Sequence, residues 1–238
     1  MLSFVVPAHD EQATIGAVVA AIDSAARSAG VEFEVIVVDD SSTDATAVLA
    51  EAAGARVVPV ALRQISAVRN AGAAEAKGTV LVFVDADTLI NAKVVAGLVS
   101  AIGQGAIGGG SAIRFDLPHP RWVDWVMPPA LWLGRRARLA AGCFLFCDAR
   151  VFRAVGGFSE EVFAGEEILL SRRLHREGEF VILPEPVETS ARKLRTYSSW
   201  QLMALVLRIL AAGHRGLRER QGLGLWYGPR RADTERRE

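Results

Sequence analysis

Three groups of carboxylates carry the chemistry open to this sequence. Asp85-Ala86-Asp87 follows directly on the apolar run Thr79-Val80-Leu81-Val82-Phe83-Val84. Such a run reads as a strand buried on both faces, so the two acids emerge where it ends. On that turn both can converge on a hard divalent cation, which takes oxygen ligands and usually keeps substrate phosphates in its shell. Asp39-Asp40 closes a second apolar run, where a fixed carboxylate can accept from the N–H and O–H donors of a base or ribose. Glu166-Glu167 precedes a helical period, as a helix-dipole pair or as a base. Together these acids point to metal-dependent chemistry on a nucleotide diphosphate, with capping of turns and helices as the bland alternative.

The elements that would position them alternate between short apolar runs and helix-period segments. Strands are expected at residues 2–6, 34–38, 56–60 and 79–84, and helices at 14–29, after Ser41-Ser42 to about 53, and at 65–76. Three consecutive β-α-β steps predict an α/β fold with a doubly wound, mostly parallel sheet flanked by helices. Ligands of nucleotide size bind at the carboxyl edge of such a sheet, where all three acid-bearing strand ends would meet. Arg69 and Asn70 sit on the helix before the Asp85 strand, as a pyrophosphate contact or simply a solvated face. Beyond Asn91 the pattern loosens: a helix to residue 102, strands at 110–115, 141–146 and 180–183, and helices at 122–133 and 166–177. Gly103-Gln104-Gly105-Ala106-Ile107-Gly108 satisfies G-x-G-x-x-G literally, but it follows a helix and enters a strand, the reverse of the dinucleotide-binding context.

Composition bounds the rest. The chain has 238 residues, half of them hydrophobic, enough for one compact unit with a sizeable core. We expect one domain over residues 1–220, with a donor-binding half (1–100) and an acceptor half (101–220), then a tail over 221–238. Formal charge is zero but unevenly placed: residues 1–100 carry twelve acids against six bases, whereas 192–220 carry seven bases against one acid. An acidic half suits a cation, and a basic stretch suits phosphate or an anionic membrane. No nucleic-acid partner is expected. Cys143 and Cys147, about 13 Å apart on a strand, are too far for a disulfide and read as core residues of a reducing compartment. The N-terminus lacks a signal-peptide pattern, so a cytoplasmic location is expected, with the inner membrane face as an alternative.

The residues Val5-Val6-Pro7-Ala8-His9-Asp10-Glu11, Val37-Val38-Asp39-Asp40-Ser41-Ser42-Thr43-Asp44, Arg69-Asn70-Ala71-Gly72, Gly78 and Asp85-Ala86-Asp87 resemble the successive motifs of the family 2 glycosyltransferases, inverting enzymes of the GT-A fold. Val155-Gly156-Gly157-Phe158, Phe163, Gly165-Glu166-Glu167 and Leu170-Ser171-Arg172-Arg173-Leu174 continue it, so the resemblance covers roughly residues 3 to 190. It implies a nucleotide-diphospho-sugar donor, UDP-sugar being the expected one, with Pro7, Ala8, Glu11 and Asp40 around the nucleoside. It also implies Asp87 on a Mg²⁺ or Mn²⁺ that bridges the phosphates. The acceptor would be a small molecule or a lipid-linked hydroxyl compound. Glu166-Glu167 resembles the family's Glu-Asp motif, whose second acid deprotonates the acceptor hydroxyl. Glutamate at 167 departs from the usual aspartate and moves the carboxylate out by one methylene.

Two other readings stand beside this one. A nucleotidyltransferase would share the sheet and the metal acids, but no glycine follows the first strand until Gly16. A non-catalytic sugar-nucleotide-binding protein is made conceivable by Glu167. The basic stretch is open to three readings: Arg192, Lys193 and Arg195 as a lid over the diphosphate, residues 192–220 as an interfacial membrane contact, or the same apolar stripe packed on the domain.

Overall fold

The computed structural model describes residues 1–120, 122–140 and 142–196. The side chains of Met127, Ala130 and Lys193 are outside that description, as are the predicted tail and most of the basic C-terminal stretch. Eight strands form one sheet: β1 (Leu2–Ala8), β2 (Phe33–Asp40), β3 (Arg56–Val60), β4 (Val80–Val84), β5 (Thr88–Leu89), β6 (Gly108–Phe115), β7 (Phe144–Asp148) and β8 (Phe180–Thr189). Their order across the sheet is β3-β2-β1-β4-β7-β6-β8-β5. The helices are α1 (Ile15–Ser28), α2 (Thr46–Ala52), α3 (Ile65–Glu75), α4 (Ala92–Gly103), α5 (Val123–Arg136), α6 (Ala149–Ala154), α7 (Glu166–Glu177) and α8 (Arg192–Thr196).

Alternation along the central strands divides the core in two. Phe4, Val6, Val80, Val82 and Val84 pack on the face covered by Ile15, Val18 and Ile22 of α1 and Val94 and Leu98 of α4. Val5, Leu81 and Phe83 point the other way, onto Val68 of α3, Phe152 of α6 and Leu170 and Leu174 of α7. Helices on both faces bury β1 and β4 throughout, which is why those strands read as unbroken apolar runs.

The parallel pattern holds for the four strands of the first half, with β1 beside β2 and β4, and β2 beside β3. In the second half the strand directions are mixed, and the sheet as a whole keeps more parallel than antiparallel pairings. β7 runs antiparallel to both β4 and β6, β8 rejoins β6 in parallel, and β5 caps the edge antiparallel to β8. Strand direction is set by the connections, which apolar periodicity does not encode.

Several boundaries also moved, each for a local reason. α2 starts at Thr46 rather than just after Ser42, because Ser42 and Thr43 bond to the loop after β1 and the helix start is instead met by Asp44, whose Oδ1 accepts from the Thr46 N–H at 2.9 Å. Ser42 Oγ accepts from the Asp10 N–H at 2.9 Å, Thr43 N–H donates to Asp10 Oδ1 at 2.8 Å, and Asp44 Oδ2 accepts from the Gln12 N–H at 3.1 Å. β8 continues past Pro184 to Thr189 through a register shift between Ser111 and Ala112, an irregularity that leaves Pro184 and Glu185 out of the register while Pro186 pairs with Ala112. The glycine run after α4 is a helix stop and turn, with Gly105 at φ 96°, before β6 opens at Gly108.

Candidate active site

The parallel register sets Ala8 of β1 directly beside Asp39 of β2, so the ends of the first two strands lie level. The chain leaving β4 turns at once: Asp85 N–H donates to the Cys143 carbonyl at 3.1 Å, and Thr88 N–H to the Asp85 carbonyl at 3.0 Å. β5 then pairs with the end of β8, and Ser190 N–H donates to the Asp87 carbonyl at 3.1 Å. The Asp-x-Asp turn is therefore stitched to the last strand, and the residues that follow that strand are delivered onto it.

One cleft, of about 160 Å³, collects these pieces; its walls include Pro7, Glu11, Asp85, Asp87, Gly142 and the Gly165-Glu166-Glu167 turn. α7 is entered through Gly165, whose φ of 72° lies in the left-handed region that glycine reaches without steric cost. This sharp entry brings the first turn of α7, with both glutamates, to the cleft. Gly142 stands opposite: a β-carbon there would meet Glu167 Cδ at 3.3 Å. The absence of a side chain at 142 leaves the space the Glu167 carboxyl occupies.

The two glutamates differ sharply. Glu166 is buried and accepts from Arg69 Nη1 at 2.7 Å. Glu167 borders the cleft, and desolvation by the surrounding protein together with the neighbouring Glu166 charge pushes its carboxyl up to about 7, with Arg69 pulling the other way. A group poised there suits proton transfer near neutral pH. Burial opposes the charge of Arg69, but Asp85, Glu166 and Glu167 outweigh it and hold the guanidinium above its ordinary value.

Arg69 is thus a buried tie, 3% exposed, and not part of a solvated face. Besides Glu166 it donates to Asp85 Oδ1 and to the Gly142 carbonyl, both at 2.8 Å, and its plane lies over Phe158 at 5.2 Å. α3, the turn after β4, the approach to β7 and the start of α7 are locked by one side chain. Asn70 is turned elsewhere: it donates to the Phe158 carbonyl and Glu160 Oε1 and accepts from the Phe158 N–H at 2.9 Å, bracing the turn before α7.

Asp40 accepts from the N–H groups of Leu62 and Arg63 at 2.8 and 3.0 Å, which shapes the loop beyond β3. Asp39 is also buried, yet its Oδ1 has no hydrogen-bond partner among the described residues. An orphaned buried carboxylate oxygen at a strand end is costly unless a donor arrives from outside. Glu11, 4% exposed, is held by Arg192 in a two-point pair at 2.8 and 2.9 Å. The same guanidinium lies 3.8 Å from Asp87 Oδ2. Arg192 and Gly142 are the two site residues least legible in the sequence: a lid, a membrane contact and a packed stripe are all open to Arg192, none of them a partner for Glu11, and nothing local marks Gly142.

Among the described residues no group of three or more His, Cys, Asp or Glu could by itself hold a metal ion. The oxygen-only donors Asp85 and Asp87 nevertheless fit a hard cation that shares its shell with substrate phosphate, and a cationic guanidinium already stands beside Asp87. Among the described residues no helix is long and apolar enough to cross a membrane.

Similar arrangements of elements occur in solved structures. The mannosyltransferase PcManGT from Pyrobaculum calidifontis, in complex with GDP-Man and Mn²⁺, superposes with a TM-score of 0.67 at 19% identity, over 86% of this chain and 60% of that one. Glucosyl-3-phosphoglycerate synthase from Mycobacterium tuberculosis, in complex with Mn²⁺, UDP-Glc and phosphoglyceric acid, gives 0.62 at 23% identity, over 92% of this chain and 81% of that one. These are GT-A glycosyltransferase structures, and the likeness is one of fold. In sequence, glucosyl-3-phosphoglycerate synthase of Mycolicibacterium paratuberculosis is 35% identical over 138 residues, 55% of this chain and 33% of that protein. Undecaprenyl-phosphate 4-deoxy-4-formamido-L-arabinose transferase of Pseudomonas paraeruginosa is 32% identical over 132 residues, 52% of this chain and 39% of that protein. The chain spans well under half the length of these two relatives. The family model described as glycosyl transferase family 2 matches residues 3–154, taking in the strand ends and the Asp-x-Asp turn described above, and the chain belongs to that family.

Proposed function

We propose that the protein transfers a sugar from a nucleotide-diphospho-sugar, with a UDP-sugar as the favoured donor, to an acceptor hydroxyl, with inversion at the anomeric carbon. The observation that carries this is the cleft itself: Asp85 and Asp87 on one side, and on the other Glu167, pushed up to about 7. A volume of about 160 Å³ is below the ~300–1,000 Å³ of a pocket for a whole drug-sized ligand. It suits the sugar and diphosphate, with the nucleoside lying out along the ends of β1 and β2. There the unpartnered Asp39 Oδ1 accepts a base N–H or ribose O–H, beside Pro7, Ala8 and the Asp40-shaped loop.

Asp87, with Asp85 adjacent, would hold a Mg²⁺ or Mn²⁺ whose charge offsets the negative charge developing on the departing diphosphate. Solved structures of similar fold were obtained with Mn²⁺ and a nucleotide sugar, which supports this choice. Glu167 removes the acceptor proton as the acceptor oxygen bonds to the anomeric carbon. The bond from that carbon to the diphosphate oxygen breaks, and its electron pair leaves with the nucleoside diphosphate. Glu166 and Arg69 hold Glu167 and Asp85 in place and take no part in the bond changes. Fixing both partners in line supplies much of the rate.

The test is thermal stabilisation by UDP-, GDP- and dTDP-sugars with and without Mn²⁺, followed by product analysis with the best donor. A ligand that binds only the folded state raises its melting temperature. A donor effect that needs Mn²⁺ and disappears in Asp87→Ala is expected, and donor binding without any transfer or hydrolysis would leave a sugar-nucleotide-binding protein instead.

A further inference from the structure

α5 stands out from the rest of the molecule. Its residues spaced by seven, Trp125 and Trp132, are 83% and 65% exposed, and Val126 and Leu133 in the adjacent row are 51% and 62% exposed. Leu117, on the chain leading to the helix, is 79% exposed. Large apolar side chains gathered on one helix face are what a protein presents to a partner and not to water. The C-terminal end of the same helix carries Arg135 and Arg136, with Arg138 just beyond, all three exposed and none paired with an acid among the described residues.

We infer that the α5 face is a docking surface for an anionic lipid bilayer. Tryptophan settles at the boundary between headgroups and acyl chains, because its ring is apolar and its indole N–H finds polar partners there. Arginines at one end of the stripe meet the negative headgroups, as in helices that lie in the interfacial plane. The pattern selects this partner over a nucleic acid or an acidic peptide, since the exposed face is led by Trp125, Val126, Trp132 and Leu133 and its arginines stand at one end only.

The placement has a consequence for the reaction. From Arg136 to Gly142 is six residues, a reach of at most roughly 20 Å even if fully extended, and Gly142 abuts Glu167. Ala140 N–H is bolted to Ser171 Oγ of α7 at 3.1 Å. A bilayer on α5 would therefore lie near the Glu167 side of the cleft, where a lipid-linked acceptor hydroxyl could present itself. This goes beyond the transfer reaction proposed above and does not depend on it, so the test avoids turnover.

The experiment is co-sedimentation of the full chain with phosphatidylcholine vesicles, with and without phosphatidylglycerol, at low and high salt. Wild type is expected to bind the anionic vesicles and to release them as salt rises. Trp125→Ser/Trp132→Ser should weaken binding about tenfold or more, and Arg135→Glu/Arg136→Glu should abolish the preference for phosphatidylglycerol, both with unchanged melting temperature and unchanged mass in solution. Absence of vesicle binding by wild type at low salt overturns the inference. So does equal binding by the tryptophan variant, which would move the contact to residues 192–220. A variant with a lowered melting temperature or altered oligomeric state overturns it as well, since the face would then be covered by the chain itself or by a second copy.

Discussion

Glu167 combines two demands that conflict. As the proposed base it must be ionised, yet it sits among protein atoms beside Glu166, which disfavours the charge. Its folded value of about 7 lies above the ordinary 4.5. Its contribution to stability is therefore complete below pH 4.5 and is lost as pH climbs to about 7. Two outcomes are expected of Glu167→Gln. Transfer falls by roughly 10² to 10⁴ with donor affinity retained, and the variant melts higher than wild type at pH 8 but not at pH 4. In wild type kcat/KM should rise with pH through a midpoint near 7; a flat profile between pH 6 and 8 would remove Glu167 as the base. Arg192 makes a second residue-scale prediction, because its guanidinium stands 3.8 Å from Asp87 Oδ2 and competes with any cation there. Arg192→Ala should tighten binding of Mn²⁺ offered alone by on the order of tenfold, the scale of a water-screened charge pair about 4 Å apart, as titrated by the loss of free-Mn²⁺ resonance. Weaker binding in the variant would show that Arg192 supports the site instead.

Between elements, the largest single dependence runs through Arg69. Its removal would strand the buried Glu166 and the partly buried Asp85 without their partner. Arg69→Ala is expected to cost ~3–5 kcal/mol in urea unfolding. Arg69→Lys should recover little, since one ammonium cannot reproduce a planar fork spanning Glu166, Asp85 and the Gly142 carbonyl. A neutral Arg69→Lys would mean the tie is redundant. α3 also lies tightly on the sheet at Gly72, where a β-carbon would come within 2.7 Å of Val38 Cγ2 and overlap Val5. Gly72→Ala should destabilise by about 1–3 kcal/mol through overpacking.

For the molecule as a whole, the antiparallel pairing of β4 with β7 joins strands from residues 1–100 and from the remainder inside one sheet. Phe83 on β4 packs edge-on against Phe158 at 4.8 Å and beside Phe152 at 5.3 Å, so the second core is shared by both halves. The two halves are expected to unfold together: far-ultraviolet and near-ultraviolet dichroism should give coincident denaturant transitions. Two separated transitions would show that residues 1–100 and the remainder are independent folding units.

The acid-bearing strand ends were legible in the sequence because strands buried on both faces leave continuous apolar runs, and the first polar residue after each marks the sheet edge. The helix over 166–177 was legible for a similar reason, its period lying in view between Gly165 and Gly178. What the sequence determined by itself was which residues could carry the chemistry and the edge of the sheet to which β1, β2 and β4 bring them. Tertiary structure alone decided their division of labour. Arg69 became a buried tie because Glu166, ninety-seven positions away, meets it across the fold. Glu167 was set apart from Glu166 by that same contact, and Arg192 reached Glu11 across 181 positions because β8 ends on the Asp-x-Asp turn. Charge partners at such separations, and the desolvation that tunes an ionisable group, are properties of three-dimensional proximity, which local periodicity does not carry.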